Sequence, residues 1–147
     1  LNGDDNVAGF LNVIEQYGST PAGNLAKHYA GVCYLRLGDK DNAAKYLAEY
    51  KEVSGIPAAI INAQNLGLRG DIAADNGDYT EAVKLYKKAV AASDNNFTAP
   101  LFLYKQGLAL IAADKKGEAV KCLERIVAEY PAAIEARDAE KLLGSIE

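Results

Sequence analysis

Four glycines in matching contexts, Gly31, Gly70, Gly107 and Gly144, recur at intervals of 39, 37 and 37 residues. Each lies in an apolar pattern of helical spacing, where glycine is about 1 kcal/mol less favourable than alanine. Its return at a fixed interval therefore requires a packing reason. Twelve residues after each of the first three comes an alanine, Ala43, Ala82 and Ala119, and four further on a large side chain, Leu47, Tyr86 and Leu123. Two helices of a hairpin reach the short end of the usual interaxial range, about 8 Å, only where both present small side chains. The pattern predicts hairpins in which a glycine-bearing first helix packs closely on an alanine-bearing second one. Leu37-Gly38-Asp39, Asn76-Gly77-Asp78 and Asp114-Lys115-Lys116-Gly117 supply the turns between them.

The two ends repeat the theme, since Tyr17…Ala26…Gly31 returns as Tyr130…Ala139…Gly144 at an offset of 113. The last segment thus reads as a first helix standing alone. Val7, Phe10, Val13, Ile14 and Tyr17 have the spacing of a second helix standing alone. The spacing predicts eight helices, over 4–17, 22–37, 40–53, 57–75, 79–92, 97–113, 116–130 and 133–146. We read residues 1–147 as one domain: a half repeat at 4–17, hairpins at 22–56, 57–96 and 97–131, and a terminal helix at 133–146. A chain of this length buries about 70% of its unfolded surface and needs no metal or disulfide to hold it.

Charge and cysteine usage narrow the function. The net charge of −4 and pI near 5.1 give no electrostatic reason to approach nucleic acid or an anionic lipid surface. Cys33 and Cys122 sit far apart, without the short Cys or His spacing of a zinc site, and read as small core residues. No glycine-rich phosphate loop converges with titratable residues, so no cofactor, small-molecule substrate or enzymatic activity is expected. No run approaches the roughly 18 apolar residues of a membrane span, and no basic start precedes an apolar run. The chain starts at Leu1 and contains no methionine, so we expect a piece of a longer protein.

Three residue sets, Gly31/Tyr34/Gly38/Ala43/Leu47, Gly70/Gly77/Tyr79/Ala82/Tyr86/Ala89 and Gly107/Ala119/Leu123/Ile126/Pro131, resemble tetratricopeptide repeats. Relative to the usual repeat of about 34 residues, the extra length falls in Ser54-Gly55-Ile56-Pro57 and Ser93-Asp94-Asn95-Asn96. Lys27, Leu66 and Leu103 stand in the slot usually held by tryptophan. Longer strings, Leu1-Asn2-Gly3-Asp4, Ala22-Gly23-Asn24-Leu25-Ala26, Tyr29-Ala30-Gly31-Val32-Cys33-Tyr34-Leu35 and Phe97-Thr98-Ala99-Pro100-Leu101, resemble envelope tetratricopeptide proteins of Bacteroidetes-type bacteria, similar to the YfgM-like group. That resemblance implies an N-terminal membrane anchor that this chain lacks, a repeat domain on the periplasmic side of the inner membrane, and association with the Sec translocon. A cytoplasmic location is the alternative.

The family resemblance implies an all-α, right-handed solenoid whose first helices line a concave face. By register that face carries His28, Val32, Leu35 and Arg36 on the first complete hairpin, then Gln64, Asp71 and Asp75. Tyr104, Lys105 and Leu108 follow, and finally Lys141. Members that clamp the C-terminal carboxylates of chaperones hold lysines, asparagines and an arginine in these slots; here Leu25, His28, Tyr29 and Val32 stand there, so that clamp is absent. Tyrosine, leucine, valine and one histidine suit an amphipathic helix or extended segment docking apolar anchors.

Other motifs have plainer readings. The single histidine, His28, has no nucleophile in register and reads as a packed or surface side chain. Asp71 and Asp75 lie four apart on one helix face, which solvation accounts for better than a cation site. Arg69-Gly70-Asp71 spells an adhesion tripeptide, but its glycine belongs to the packing series. Asn96-Phe97-Thr98 fits a glycosylation sequon that matters only in a secretory setting, and Asp75-Asn76-Gly77-Asp78 is a turn. Lys84, Lys87 and Lys88, balanced by Glu81, form a solvated outer face. The expected function is a non-catalytic scaffold binding a protein or peptide. The alternative is a structural module that oligomerises through exposed apolar faces of 4–17 and 133–146.

Overall fold

The computed structural model describes residues 3–146; Leu1 and Asn2, which open the first of the resembling strings, lie outside the described residues. Among the described residues the chain is all-α, with eight helices: α1 (Gly3–Tyr17), α2 (Pro21–Arg36), α3 (Lys40–Glu49), α4 (Ile56–Asp75), α5 (Tyr79–Ala92), α6 (Thr98–Ala112), α7 (Lys116–Glu129) and α8 (Ile134–Ser145). Two compact units contain them, residues 1–53 with α1 to α3 and residues 54–147 with α4 to α8. Within the first unit α2 packs on both α1 and α3; within the second each helix packs on its neighbour in sequence. In the second unit α4 also touches α6, and α6 touches α8.

The turns inside the hairpins share one hydrogen-bonding scheme. Asp39, Asp78 and Lys115 donate their backbone N–H to the carbonyls of Tyr34, Ala73 and Leu110, at 2.9, 2.8 and 2.8 Å. This closure needs a left-handed residue just past the helix. Gly38 and Gly77 supply it at φ +79° and +80°, and in the third turn Asp114 does so at +62°. Gly117, which the sequence offered as part of that turn signal, sits inside α7 instead. The helices after the first two turns start on side-chain caps: Asp39 accepts from the Asn42 N–H and Asp78 from the Glu81 N–H, both at 3.1 Å, whereas α7, with Lys115 at its cap position, starts without one.

The glycine series has the expected packing role in each complete hairpin. A methyl group on Gly31 would stand 2.5 Å from Cγ of Leu47, and one on Gly70 would stand 2.6 Å from Cε1 of Tyr86. At Gly107 the neighbour is Cδ2 of Leu123, at 3.2 Å. Ala43, Ala82 and Ala119 are fully buried beside them. Among the described residues nothing lies within 4 Å of the corresponding point on Gly144, consistent with a first helix standing alone. Gly67 is a further close approach that the repeat did not reveal: a methyl there would stand 2.2 Å from Cε1 of Phe102, so it is what lets α6 lie against α4.

One boundary differs from expectation by more than a single residue. The helix predicted over 40–53 stops at Glu49, and Tyr50 is extended at φ −64°, ψ 130°. The cause is Asn24, whose amide donates to the Lys51 carbonyl while its Oδ1 accepts from the Lys51 N–H, each at 2.8 Å. Both backbone groups of Lys51 are satisfied outside a helix, so the chain leaves α3 early.

Candidate protein-binding face

The register-selected residues divide between the two units. In the first, α2 carries four of them: His28 is only 2% exposed, Val32 and Leu35 are half-buried, and Arg36 is exposed. His28 departs from a groove-facing role. Its ring lies 5.3 Å from that of Tyr29 and 5.6 Å from that of Tyr50. Tyr50 reaches it because Asn24 holds the adjoining Lys51 backbone. Burial lowers the His28 pKa below its ordinary 6.5, favouring the neutral imidazole.

In the second unit three of the selected residues, Asp71, Lys105 and Leu108, come together. On α4, Gln64 and Asp75 are exposed and Asp71 is half-buried. On the adjacent α6, Tyr104 and Lys105 are half-buried and Leu108 is 43% exposed; on α8, Lys141 is exposed. Lys105 Nζ lies 3.0 Å from both carboxylate oxygens of Asp71. Tyr86, reaching across from α5, donates its hydroxyl to Asp71 Oδ1 at 2.7 Å. Its phenol is pushed far above its ordinary pKa, by burial first, then by this hydrogen bond and by the charges of Asp71 and Asp75. Asp71, Ala74, Tyr79, Tyr86, Lys105 and Leu108 line a cavity of about 200 Å³. Sequence spacing marks Tyr86 only as a packing residue; its second role needs the hydroxyl to clear the glycine notch, which spacing does not show.

Other members of this face escaped the sequence reading. Ten residues before the last three glycines of the series, Gly70, Gly107 and Gly144, stand Ile60, Phe97 and Ile134, at 49%, 87% and 84% exposure. They begin the same helical stripe as Gln64, Leu101 and Asp138, four residues on, and Leu101 is itself exposed. The repeat signal that identified the glycines also contained this position, but an apolar residue near a helix start looks like core until its burial is known.

The remaining motifs sit as follows. Arg69-Gly70-Asp71 is helical, its glycine against Tyr86 and its aspartate bonded to Lys105. Cys33 is buried and Cys122 half-buried, both as free thiols; burial raises the Cys122 pKa above its ordinary value. Among the described residues there is no group of three or more His, Cys, Asp or Glu placed to hold a metal, and no helix long and apolar enough to cross a membrane. This geometry offers apolar contact area and a few hydrogen-bonding groups, the ordinary make-up of a protein contact surface.

Comparison with known proteins agrees with that chemistry. Two tetratricopeptide repeat family models match, one over residues 26–53 and one over residues 73–144. No curated protein matches the sequence. Among solved structures, the crystal structure of MamA is similar at a TM-score of 0.74 and 16% identity, covering 96% of this chain and 76% of that one; at that identity the likeness speaks for the fold alone. Tetratricopeptide repeat domains are generally protein–protein interaction modules and typically non-catalytic. Across the matched residues, this chain is a tetratricopeptide repeat protein.

Proposed function

We propose that the chain holds a polypeptide segment of another protein on the face built by α4, α6 and α8, without catalysing a reaction. The observation that carries this reading is the row Ile60, Phe97 and Ile134, large apolar side chains left open at one register position of three successive first helices. Singly exposed apolar residues are normal, whereas the same position exposed in repeat after repeat marks a surface kept for contact. Leu101 and Leu108 extend the apolar surface along α6, and the Asp71–Lys105 pair adds polar definition. Such a mixture suits an amphipathic helix or extended segment that sets apolar anchors between polar contacts.

The proposed setting is the bacterial cell envelope, on the periplasmic side of the inner membrane and in a translocon-like assembly. Its support is the likeness of Ala22-Gly23-Asn24-Leu25-Ala26 and Phe97-Thr98-Ala99-Pro100-Leu101 to YfgM-like proteins. Recovery of the natural protein solely in the cytoplasmic fraction of broken cells would remove this setting. The binding reading is tested by pull-down from membrane extract with Tyr104→Ala and Leu108→Asp. A partner held by the unaltered chain and lost by both variants is the expected outcome; partners kept by both would rule out this face.

Self-association through the terminal helices has weaker support. Where α4 and α6 bury Ala63/Leu66 and Pro100/Leu103, seven and four residues before the glycine, α8 carries Arg137 and Glu140, both exposed. A further hairpin or a second copy would meet charge there rather than an apolar face. Sedimentation that shows a concentration-dependent mass, abolished by changes at Leu142 or Leu143, would favour this alternative over the first.

A further inference from the structure

Resting on the proposed polypeptide-binding face, we infer that its α6–α8 end is a pocket for a large apolar side chain that is flanked, in the bound segment, by lysine or arginine. A cavity of about 440 Å³ opens between the start of α6 and the junction of α7 with α8, walled by Phe97, Tyr130, Pro131, Ala132, Ala133 and Ile134. Phe97 and Ile134 stand on its rim almost uncovered. The volume falls within the range of sites that hold small ligands, about 300–1,000 Å³.

Both walls are fixed in place before anything binds. On the α6 side, Asn95 Oδ1 accepts from the N–H groups of Phe97 and Thr98 at 2.8 and 2.9 Å, and Thr98 Oγ1 donates to the Ser93 carbonyl at 2.8 Å. On the α7–α8 side, the Tyr130 hydroxyl donates to Asp94, and the Ala133 N–H donates to the Tyr130 carbonyl at 3.0 Å. A preorganised pocket loses little freedom on filling, which is where affinity for an apolar anchor comes from.

Charge selects what stands beside the anchor. Glu129 and Glu135 line the cavity, and Asp94 stands behind Tyr130. One guanidinium, Arg125, is bound to two of these three carboxylates, Glu129 at 2.9 Å and Asp94 at 3.5 Å. The surplus is negative. An anionic partner finds no compensation at the start of α6, where Asn95 already occupies the first amides. A basic residue next to the apolar anchor completes the match.

The test is a display library of random twelve-residue peptides selected against the chain. The expected enrichment is Leu, Ile or Phe adjacent to Lys or Arg. A synthetic peptide of the enriched sequence should bind at least about tenfold more weakly to the Phe97→Ser/Ile134→Ser variant. These side chains are too exposed for the change to unfold the chain, which circular dichroism verifies. Against Glu135→Gln the same peptide should weaken by about threefold and become less sensitive to salt. Enrichment of acid-flanked peptides overturns the inference. So does a self-association abolished by Phe97→Ser, which would assign the pocket to a second copy. Binding lost in Leu108→Asp but kept in the Phe97/Ile134 variant overturns the pocket and leaves the proposed function standing; a library yielding no binder overturns both.

Discussion

His28 on α2 and Tyr104 on α6 occupy the same register position, three residues before Gly31 and Gly107, yet the first is buried and the second only half-buried. In the first unit, Asn24 draws the Lys51 backbone onto α2 and lays Tyr50 against His28. In the second, the segment after α5 closes on itself through Ser93, Asn95 and Thr98, and the α6 stripe keeps Leu101 and Leu108 exposed. The same repeat can therefore spend its first-helix stripe on packing or on partners. A short polar clamp in the connection, rather than the repeat signature, decides which.

The largest expected effect tests the sealed side. His28→Ala removes a side chain that is almost fully buried and should destabilise the first unit by about 2–4 kcal/mol, as for other large core residues. Hydrogen exchange should show faster amides in α2 and α3, with peptide binding at α6 unchanged. If binding falls in proportion, the two stripes are not separate in function and the comparison fails. Next in size, Gly70→Ala forces a methyl against the Tyr86 ring and should cost about 1–3 kcal/mol in urea denaturation. Gly31→Ala should behave alike against Leu47, whereas Gly144→Ala should be neutral or stabilising by up to about 1 kcal/mol. Equal losses at Gly31 and Gly70 would establish that both units share their hairpin packing and differ only in how the stripe is used.

The hairpin packing was legible in the sequence because a recurring helical glycine has few reasons to exist. Gly31, Gly70 and Gly107 each face the large residue sixteen positions on, as the pattern requires. Helix ends were legible wherever a turn residue had to be left-handed. They failed at Glu49, where the cause is a side chain 27 residues earlier. The face was read in part: Asp71, Lys105 and Leu108 do converge on one cavity. What spacing missed was long-range or depended on burial. Gly67 needs Phe102 to explain it, and Ile60, Phe97 and Ile134 differ from core residues only in being uncovered.

Acid sharpens the contrast further. Burial holds the folded His28 pKa below the 6.5 of the unfolded chain. Below that pH the unfolded state binds more protons, so stability falls as pH drops from about 6.5 toward the folded pKa, and is flat above. The slope is at most about 1.4 kcal/mol per pH unit. Since the chain has one histidine, the loss should appear in α2 and α3 exchange and be absent from α6. His28→Phe should abolish it; a slope that survives this change would place the titrating group elsewhere.

The smallest effect belongs to the open side, and its smallness is the point. Asp71→Asn keeps an acceptor for the Tyr86 hydroxyl and removes only the charge opposite Lys105. With both side chains about a third exposed, at 36% and 32%, the ion pair is worth about 0–1 kcal/mol after screening. Thermal unfolding of the variant should therefore differ little from the parent, while binding of a basic segment weakens with the lost charge. A surface held for partners has this signature: weak internal bonds, readily exchanged for external ones. If Asp71→Asn instead cost more than about 2 kcal/mol, the Tyr86–Asp71–Lys105 group would be a structural seal like Asn24, Tyr50 and His28. The α6 stripe would then have to be read as closed in the same way as that of α2.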